Sequence, residues 1–227
     1  MTGPRQLSLD LARAPRFDRA CFMRSGANEA ALALIDAWPR WPDPVLMLIG
    51  PEGSGKSHLG HIWAQAARAF VVAAQDVTPA AGLAVAAGRC VLVEDADRGG
   101  YDEAALFHLL NLAREHGAFV LVSARAGPDD WGLATPDLVS RLRLAPSVRL
   151  GAPDDALVRA VMGKLFADRQ LRVEPALLDY LSMRMERSLD AARALAAAID
   201  TEAMARGGAV TRAIAAAALR EQEPDLF

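Results

Sequence analysis

The sequence is poor in cysteine, in lysine and in tyrosine, it has no long apolar run, and its net charge is small. The two cysteines, Cys21 and Cys90, lie in apolar surroundings without metal-ligand spacing, so we expect reduced core thiols rather than a disulfide. No segment approaches the roughly 18 apolar residues of a membrane helix, and no basic residues lead an apolar block at the N-terminus. These absences predict a soluble cytoplasmic protein with no membrane partner.

The charge balance also lacks the excess of basic residues that suits wrapping around nucleic acid. The formal net charge is −3 over 227 residues. The C-terminal part (151–227) has ten Lys/Arg against twelve Asp/Glu, a net of −2. Net charge does not exclude a local basic patch, but it argues against a general DNA-binding surface.

Short apolar runs alternate with alanine-rich helical segments up to residue 151, a pattern typical of a parallel sheet covered on both faces. The predicted strands are 45–50, 69–74, 90–95, 118–123 and, more weakly, 147–150. The predicted helices of this part are 28–38, 58–68, 79–88 and 102–116. Beyond it only helices are indicated, at 154–170, 174–185, 188–206 and 211–221. We therefore predict an extended arm (1–17), an α/β domain (18–151) and a small helical domain (152–227).

Residues 50–58, GPEGSGKSH, contain the phosphate-binding pattern G-x-x-x-x-G-K-[ST] between a predicted strand and a predicted helix. Glycines let backbone N–H groups converge on phosphates, Lys56 would contact the β- and γ-phosphates, and the Ser57 hydroxyl would bind Mg²⁺. Only one other lysine, Lys164, occurs in the chain. ADP or ATP with Mg²⁺ is therefore expected. The predicted nucleotide-binding residues of this loop are Gly50, Pro51, Glu52, Gly53, Ser54, Gly55, Lys56, Ser57 and His58.

Polar residues end two later strands. Glu94 and Asp95 follow the apolar run VLV, where carboxylates suit a shared role in holding Mg²⁺ and orienting the attacking water. The first acid at such a position is usually Asp, so the division of roles between the two is left open. Ser123 ends the next strand and is a candidate hydrogen-bond partner of the γ-phosphate or of the water.

These features, with the segment DLVSRL (137–142) and a helical C-terminal part, together resemble an AAA+ ATPase of the DnaA branch. The chain is similar to the Hda-type regulatory inactivators of DnaA over almost its whole length. The most specific matching segments are QLSLDL, GPEGSGKSHL and DLVSRL. The resemblance implies a three-layer αβα domain with a five-stranded parallel sheet, followed by a small α-helical lid domain.

The resemblance also implies roles for single residues. Arg141 matches an arginine finger, which acts in trans on a nucleotide held by a neighbouring subunit. Phe22, Met23 and Asn28 match a segment that packs around adenine, although the first two are equally compatible with plain core positions and Asn28 with a helix N-cap. Arg187 matches a nucleotide-sensing arginine of the lid; an alternative register puts Asp190 there, which would impair sensing.

The N-terminal segment QLSLDL places leucines at strict alternation behind a glutamine. A core strand, a targeting signal and a docking peptide are the alternatives, and the resemblance favours a peptide that docks on the replication sliding clamp (beta subunit). Its predicted contact residues are Gln6, Leu7, Ser8, Leu9, Asp10 and Leu11. The tail QEPDLF (222–227) is either an ordinary charged tail or a second docking peptide.

The implied function is negative regulation of replication initiation, in which a clamp-tethered protein promotes hydrolysis of DnaA-bound ATP. Its partners would be the clamp and DnaA, and it would reach DNA only through the clamp. No DNA-binding domain is expected to follow the lid, and homo-oligomerisation is left open. Its own ATPase activity would be at most weak. The alternatives are a stand-alone P-loop ATPase, such as a helicase loader or a small-molecule kinase, and a truncated initiator.

Overall fold

The computed structural model describes residues 17–206 and 208–222. The predicted docking segment Gln6–Leu11 lies outside them, as does most of the 222–227 tail. Cys21 and Cys90 are both free thiols; Cys90 is buried, whereas Cys21 is only partly buried and is not the core residue that the sequence predicts. No helix among the described residues is both long enough and apolar enough to cross a membrane.

Five parallel strands form one sheet in the order β2-β3-β4-β1-β5, which confirms the predicted sheet. The strands are β1 (Val45–Ile49), β2 (Phe70–Ala73), β3 (Val91–Glu94), β4 (Val120–Ala124) and β5 (Ser147–Arg149). Each lies within one or two residues of a predicted apolar run. The parallel pairing places Ser123, near the end of β4, opposite Leu48 of β1.

Helices cover both faces of the sheet, as the continuous apolar runs predict. They are α1 (Glu29–Asp36), α2 (Lys56–Ala67), α3 (Pro79–Ala86), α4 (Glu103–His116) and α5 (Pro136–Leu144). Side chains of β1 alternate between two cores. Leu46 and Leu48 pack in the core that includes α1 and α2, whereas Val45, Met47 and Ile49 pack in the core that includes α3, α4 and α5.

Helix α5 was not predicted from the sequence, where its residues were identified only as a segment that carries an arginine. The helix begins at Pro136, whose fixed φ suits a first helical position. Only Leu138 and Leu142 of this helix are buried, so its apolar periodicity is short. Arg141 therefore stands on a helix that packs through its neighbour Leu142.

The C-terminal part forms a separate apolar core from four helices, as expected. They are α6 (Asp155–Asp168), α7 (Pro175–Ser182), α8 (Leu189–Ala205) and α9 (Arg212–Gln222). Phe166 of α6, Leu181 of α7, Leu195 of α8 and Ile214 of α9 share this core. Each helix begins within two residues of its predicted start.

Candidate functional site

The phosphate-binding loop leads from the end of β1 at Ile49 into α2, which begins at Lys56. Gly53 and Gly55 have φ values of +67° and +95°, a region that disfavours side chains. At Gly50 a Cβ atom would lie 2.8 Å from the carbonyl oxygen of Leu150. Glycine is thus required at all three positions, and the loop backbone turns directly into the α2 N-terminus.

The polar side chains of this loop face inward. Lys56 is 7 % exposed, and its Nζ donates a hydrogen bond to the carbonyl oxygen of Pro51 at 2.9 Å. Burial lowers the pKa of Lys56, although Asp95 and Asp97 act in the opposite sense. The buried Ser54 hydroxyl has no hydrogen-bond partner among the described residues. A glycine cradle, a buried lysine and an unsatisfied hydroxyl at a helix N-terminus are features that fit a bound phosphate.

The first residues of α8 lie directly on this loop. The backbone N–H of Leu189 donates to the carbonyl oxygen of Gly53 at 2.9 Å. A Cβ atom at Gly53 would lie 2.0 Å from the hydroxyl oxygen of Ser188. Because Ser188 also accepts from the backbone N–H of Ala191 and so caps α8, the lid helix is fixed at the point where it meets the loop.

The carboxylates after β3 each have a cationic or imidazole partner. Glu94 Oε2 lies 3.3 Å from His61 Nε2, and Asp95 Oδ2 lies 3.0 Å from Arg98 Nε. The main-chain N–H of Asp95 donates to the Ser123 hydroxyl at 3.2 Å. The structure therefore brings Asp95 and Ser123 together and directs Glu94 towards α2.

Asp95 also has an unusual backbone conformation. Its φ is +56°, which is uncommon for a residue with a side chain and costs on the order of 1–3 kcal/mol. Such strain is found most often at functional positions, because surrounding contacts must maintain it. The hydrogen bond to Ser123 is one such contact.

The donor set beside the loop fits Mg²⁺ better than a transition metal. Ser57, Glu94 and Asp95 offer oxygen atoms, and the described residues contain no group of three or more His, Cys, Asp or Glu that could hold a metal on its own. Mg²⁺ is commonly held by one or two carboxylates together with phosphate oxygens and waters. These residues would therefore bind it only together with a nucleotide.

The segment around Phe22 to Asn28 lies beside the loop, but the side chain of Asn28 forms hydrogen bonds within this segment. Its Oδ1 accepts from the backbone N–H of Ser25 at 3.0 Å, and its Nδ2 donates to the carbonyl oxygen of Met23 at 2.9 Å. The expected N-cap bond to α1 is absent, because this amide closes the preceding turn instead. Phe22 packs edge-on against His58, with ring centroids 5.3 Å apart.

His58, the last residue of the predicted phosphate loop, is buried in the first turn of α2. Its Nε2 lies 3.0 Å from the carbonyl oxygen of Asp18. Burial lowers the pKa of His58, which favours the neutral ring. His58 thus anchors residues N-terminal to α1 against the helix that follows the loop.

The two predicted arginines have different surroundings. Arg141 is exposed on α5 and makes no hydrogen bond or ion pair with the described part of the chain, whereas its neighbour Arg143 donates from Nε to Asp129 at 2.6 Å. Arg187 forms two contacts with Asp155 of α6, at 2.7 and 3.0 Å. The structure therefore leaves the guanidinium of Arg141 available and directs that of Arg187 towards α6.

Asp190, the residue of the alternative register, lies in the first turn of α8. It pairs with Arg193 at 2.6 Å, and its charge favours the protonated form of Lys56. The start of α8 thus brings a carboxylate, rather than Arg187, towards the loop lysine.

Sequence reasoning missed two partners in this site. Asp97, which has no role in the sequence analysis above, is paired with Arg125: Oδ2 lies 2.6 Å from Nε, and Oδ1 accepts from the Arg125 backbone N–H at 3.0 Å. His61, the partner of Glu94, had no assigned role. The strand order could have indicated these contacts, because the ends of neighbouring parallel strands such as β3 and β4 meet at one edge of a sheet.

No protein-family model matches the chain, and no curated protein sequence matches it. Solved structures are similar to it. Domain III of the replication initiation protein DnaA from Thermotoga maritima has 16% identity and a TM-score of 0.76, over 92% of this chain and 97% of that chain. AMPPCP-bound DnaA from Aquifex aeolicus has 16% identity and a TM-score of 0.69, over 93% and 69%. The Holliday junction branch migration motor RuvB from Thermotoga maritima has 17% identity and a TM-score of 0.63, over 79% and 62%. At these identities the likeness establishes the fold alone, which this chain shares with domain III of DnaA.

Gly53→Ala should weaken the contact between α8 and the loop. A matched control is Gly117→Ala, because Gly117 has a similar φ of +66° but nothing within 4 Å of an added Cβ atom. The control should cost about 1–2 kcal/mol from backbone conformation alone. Gly53→Ala should lower the free energy of unfolding in urea by more than the control does, and it should also reduce hydrogen-exchange protection of the Leu189 amide. Equal costs with unchanged protection would contradict the proposed contact.

Asp97→Asn should reduce stability by about 1–3 kcal/mol at neutral pH, because a charged hydrogen-bonded pair is lost. Burial alone would raise the pKa of Asp97, but hydrogen bonds and charge from Arg125 lower it overall. A lowered folded-state pKa stabilises the protein above the unfolded value of about 3.9, and this stabilisation is lost as the pH falls through the folded value. The difference in unfolding free energy from wild type should therefore shrink on acidification.

The control for Asp97→Asn is Asp129→Asn, which removes an exposed ion pair with Arg143 and should cost at most about 1 kcal/mol. A cost of Asp97→Asn no larger than that of the control would show that the Asp97–Arg125 pair does not support the site.

Proposed function

We propose that this protein binds ADP or ATP with Mg²⁺ and acts on a second AAA+ protein, the DnaA initiator, by promoting hydrolysis of its bound ATP. Three features support nucleotide binding: the glycine-lined loop, the buried Lys56 and the oxygen donors beside it. The likeness to DnaA structures supports it further, since the Aquifex aeolicus DnaA binds AMPPCP. Bound Mg²⁺ would supply charge neutralisation at the β- and γ-phosphates.

The observation that carries the action in trans is the state of Arg141. Two other arginines are paired within the chain, Arg143 with Asp129 and Arg125 with Asp97. Arg141, by contrast, is exposed and unpaired within the described residues. An arginine supplied by a neighbouring molecule stabilises charge on a transferring phosphoryl group, which is the role we assign to Arg141.

Weak hydrolysis of its own nucleotide fits the carboxylate contacts. Glu94, Asp95 and Asp97 all contact side chains of the same chain, and these contacts compete with water for the carboxylate oxygens involved. The lid contributes Asp190 near Lys56, and Arg187 is held by Asp155. We therefore propose that the bound nucleotide serves mainly as a structural ligand, with ADP sufficient for activity.

The N-terminal segment Gln6–Leu11 is proposed to bind the sliding clamp, so that the protein reaches DNA only through that partner. Alternate leucines suit apolar pockets on a partner surface, and the Gln6 amide suits hydrogen bonds that fix the register. This part of the proposal depends on the sequence alone.

Arg141→Ala should abolish most of the stimulation of DnaA–ATP hydrolysis in the presence of DNA-loaded clamp, by a factor on the order of 10³ in rate, because an arginine finger contributes about that much. Arg143→Ala is the matched control on the same helix and should retain stimulation. Gln6→Ala should weaken stimulation through clamp affinity, so that raising the clamp concentration should restore it.

Two outcomes would contradict the proposal: no stimulation by the wild type, or equal stimulation by wild type and Arg141→Ala. Steady ATP turnover by the isolated protein would instead favour a stand-alone ATPase. A small-molecule kinase would require phosphate transfer to an acceptor other than water.

A further inference from the structure

Phe17, the last residue of the predicted arm, packs against α2 beside the candidate site. Its ring stacks on that of His61, with centroids 4.6 Å apart and an interplanar angle of 8°. It also meets His58 edge-on, with centroids 5.6 Å apart. Because His58 contacts the carbonyl oxygen of the adjacent Asp18 at 3.0 Å, the main chain is held where the stack forms.

The His61 ring makes a second contact, through its edge. Nε2 lies 3.3 Å from Glu94 Oε2, and both side chains are about three-quarters buried, at 26 % and 22 % exposed. A histidine side chain has only two rotatable bonds, so a partner on its face and a partner on its edge together leave it little freedom. Phe17 therefore limits where Glu94 can go, by way of His61.

His61 and Ser57 lie four residues apart on α2 and so share one face of the helix. Glu94 is held on the face that also carries the Ser57 hydroxyl. These two residues are among the oxygen donors that fit Mg²⁺. Carboxylates that bind metals are generally oriented by a polar partner of their own, which affects metal affinity through the carboxylate. His61, at ion-pair distance from Glu94, is such a neighbour.

We propose that His61 and Phe17 are positioning residues that orient Glu94 for the Mg²⁺-dependent part of nucleotide binding. This inference rests on the proposed nucleotide binding and adds two residues to it. Neither residue touches the nucleotide or the metal; each acts through Glu94. Phe17 lies six residues after Leu11, the end of the segment proposed to dock on the clamp, so a docked partner that displaced Phe17 would lower the affinity for Mg²⁺ with nucleotide.

The test is ADP affinity measured by calorimetry on the full chain, with Mg²⁺ and with a chelator in its place. For the wild type we expect tighter binding with Mg²⁺. His61→Ala should reduce this Mg²⁺ enhancement by about 10–100-fold, or to none, because removal of such a partner has that effect on metal affinity. Phe17→Ala should reduce it several-fold. In the presence of the chelator, the ADP affinity of both variants should stay within about twofold of the wild-type value, because no contact with ADP itself is lost.

Further variants keep the test specific. His61→Gln retains a hydrogen-bond donor and should recover part of the enhancement. His116→Ala and Phe70→Ala remove an exposed histidine and a part-exposed phenylalanine elsewhere and should leave it unchanged. In a Glu94→Gln background, His61→Ala should have little additional effect, because residues that act through one another are non-additive.

The inference is overturned if His61→Ala keeps the full Mg²⁺ enhancement, or if it lowers affinity equally with and without Mg²⁺. The second result would indicate a general structural role for His61. A wild type that binds no ADP would overturn both this inference and the proposed function, whereas intact wild-type binding with an unaffected His61→Ala variant would overturn this inference alone.

Discussion

The parallel pairing of β3, β4 and β1 is the constraint on which the rest of the site depends. Parallel strands end at one edge of the sheet, so the chain leaving each strand is delivered to the same place. The glycine loop follows β1, Asp95 follows β3 and Ser123 lies near the end of β4. The bond from the Asp95 backbone to the Ser123 hydroxyl joins two of these ends, and burial of the strands on both faces keeps them in register.

The lid completes this arrangement through backbone contacts rather than through an arginine. The start of α8 rests on Gly53, where any side chain would collide with Ser188. In the same region every carboxylate of the β3 end has a partner within the chain. Arg141, exposed on α5, takes no part in these pairings.

Local sequence signals predicted the strands and most helices, because buried parallel strands read as continuous apolar runs and glycine patterns specify phosphate loops. The helix around Arg141 was missed because only two of its residues are buried. The Asp97–Arg125 pair joins residues 28 positions apart, and the Ser188–Gly53 contact joins the lid to the loop. Such contacts depend on tertiary placement, so a single sequence does not reveal them.

The central claim is that the loop at Lys56 binds a nucleotide, and titration calorimetry with ADP and Mg²⁺ tests it most directly. Lys164, the only other lysine, supplies the control, since it lies on α6 and pairs with Asp168. We expect the wild type and Lys164→Ala to bind ADP with equal affinity, and Lys56→Ala to bind it about 10–100-fold more weakly, because a charged hydrogen bond of about 1.5–3 kcal/mol is lost. Equal affinity of Lys56→Ala and wild type, or no binding by the wild type, would contradict it.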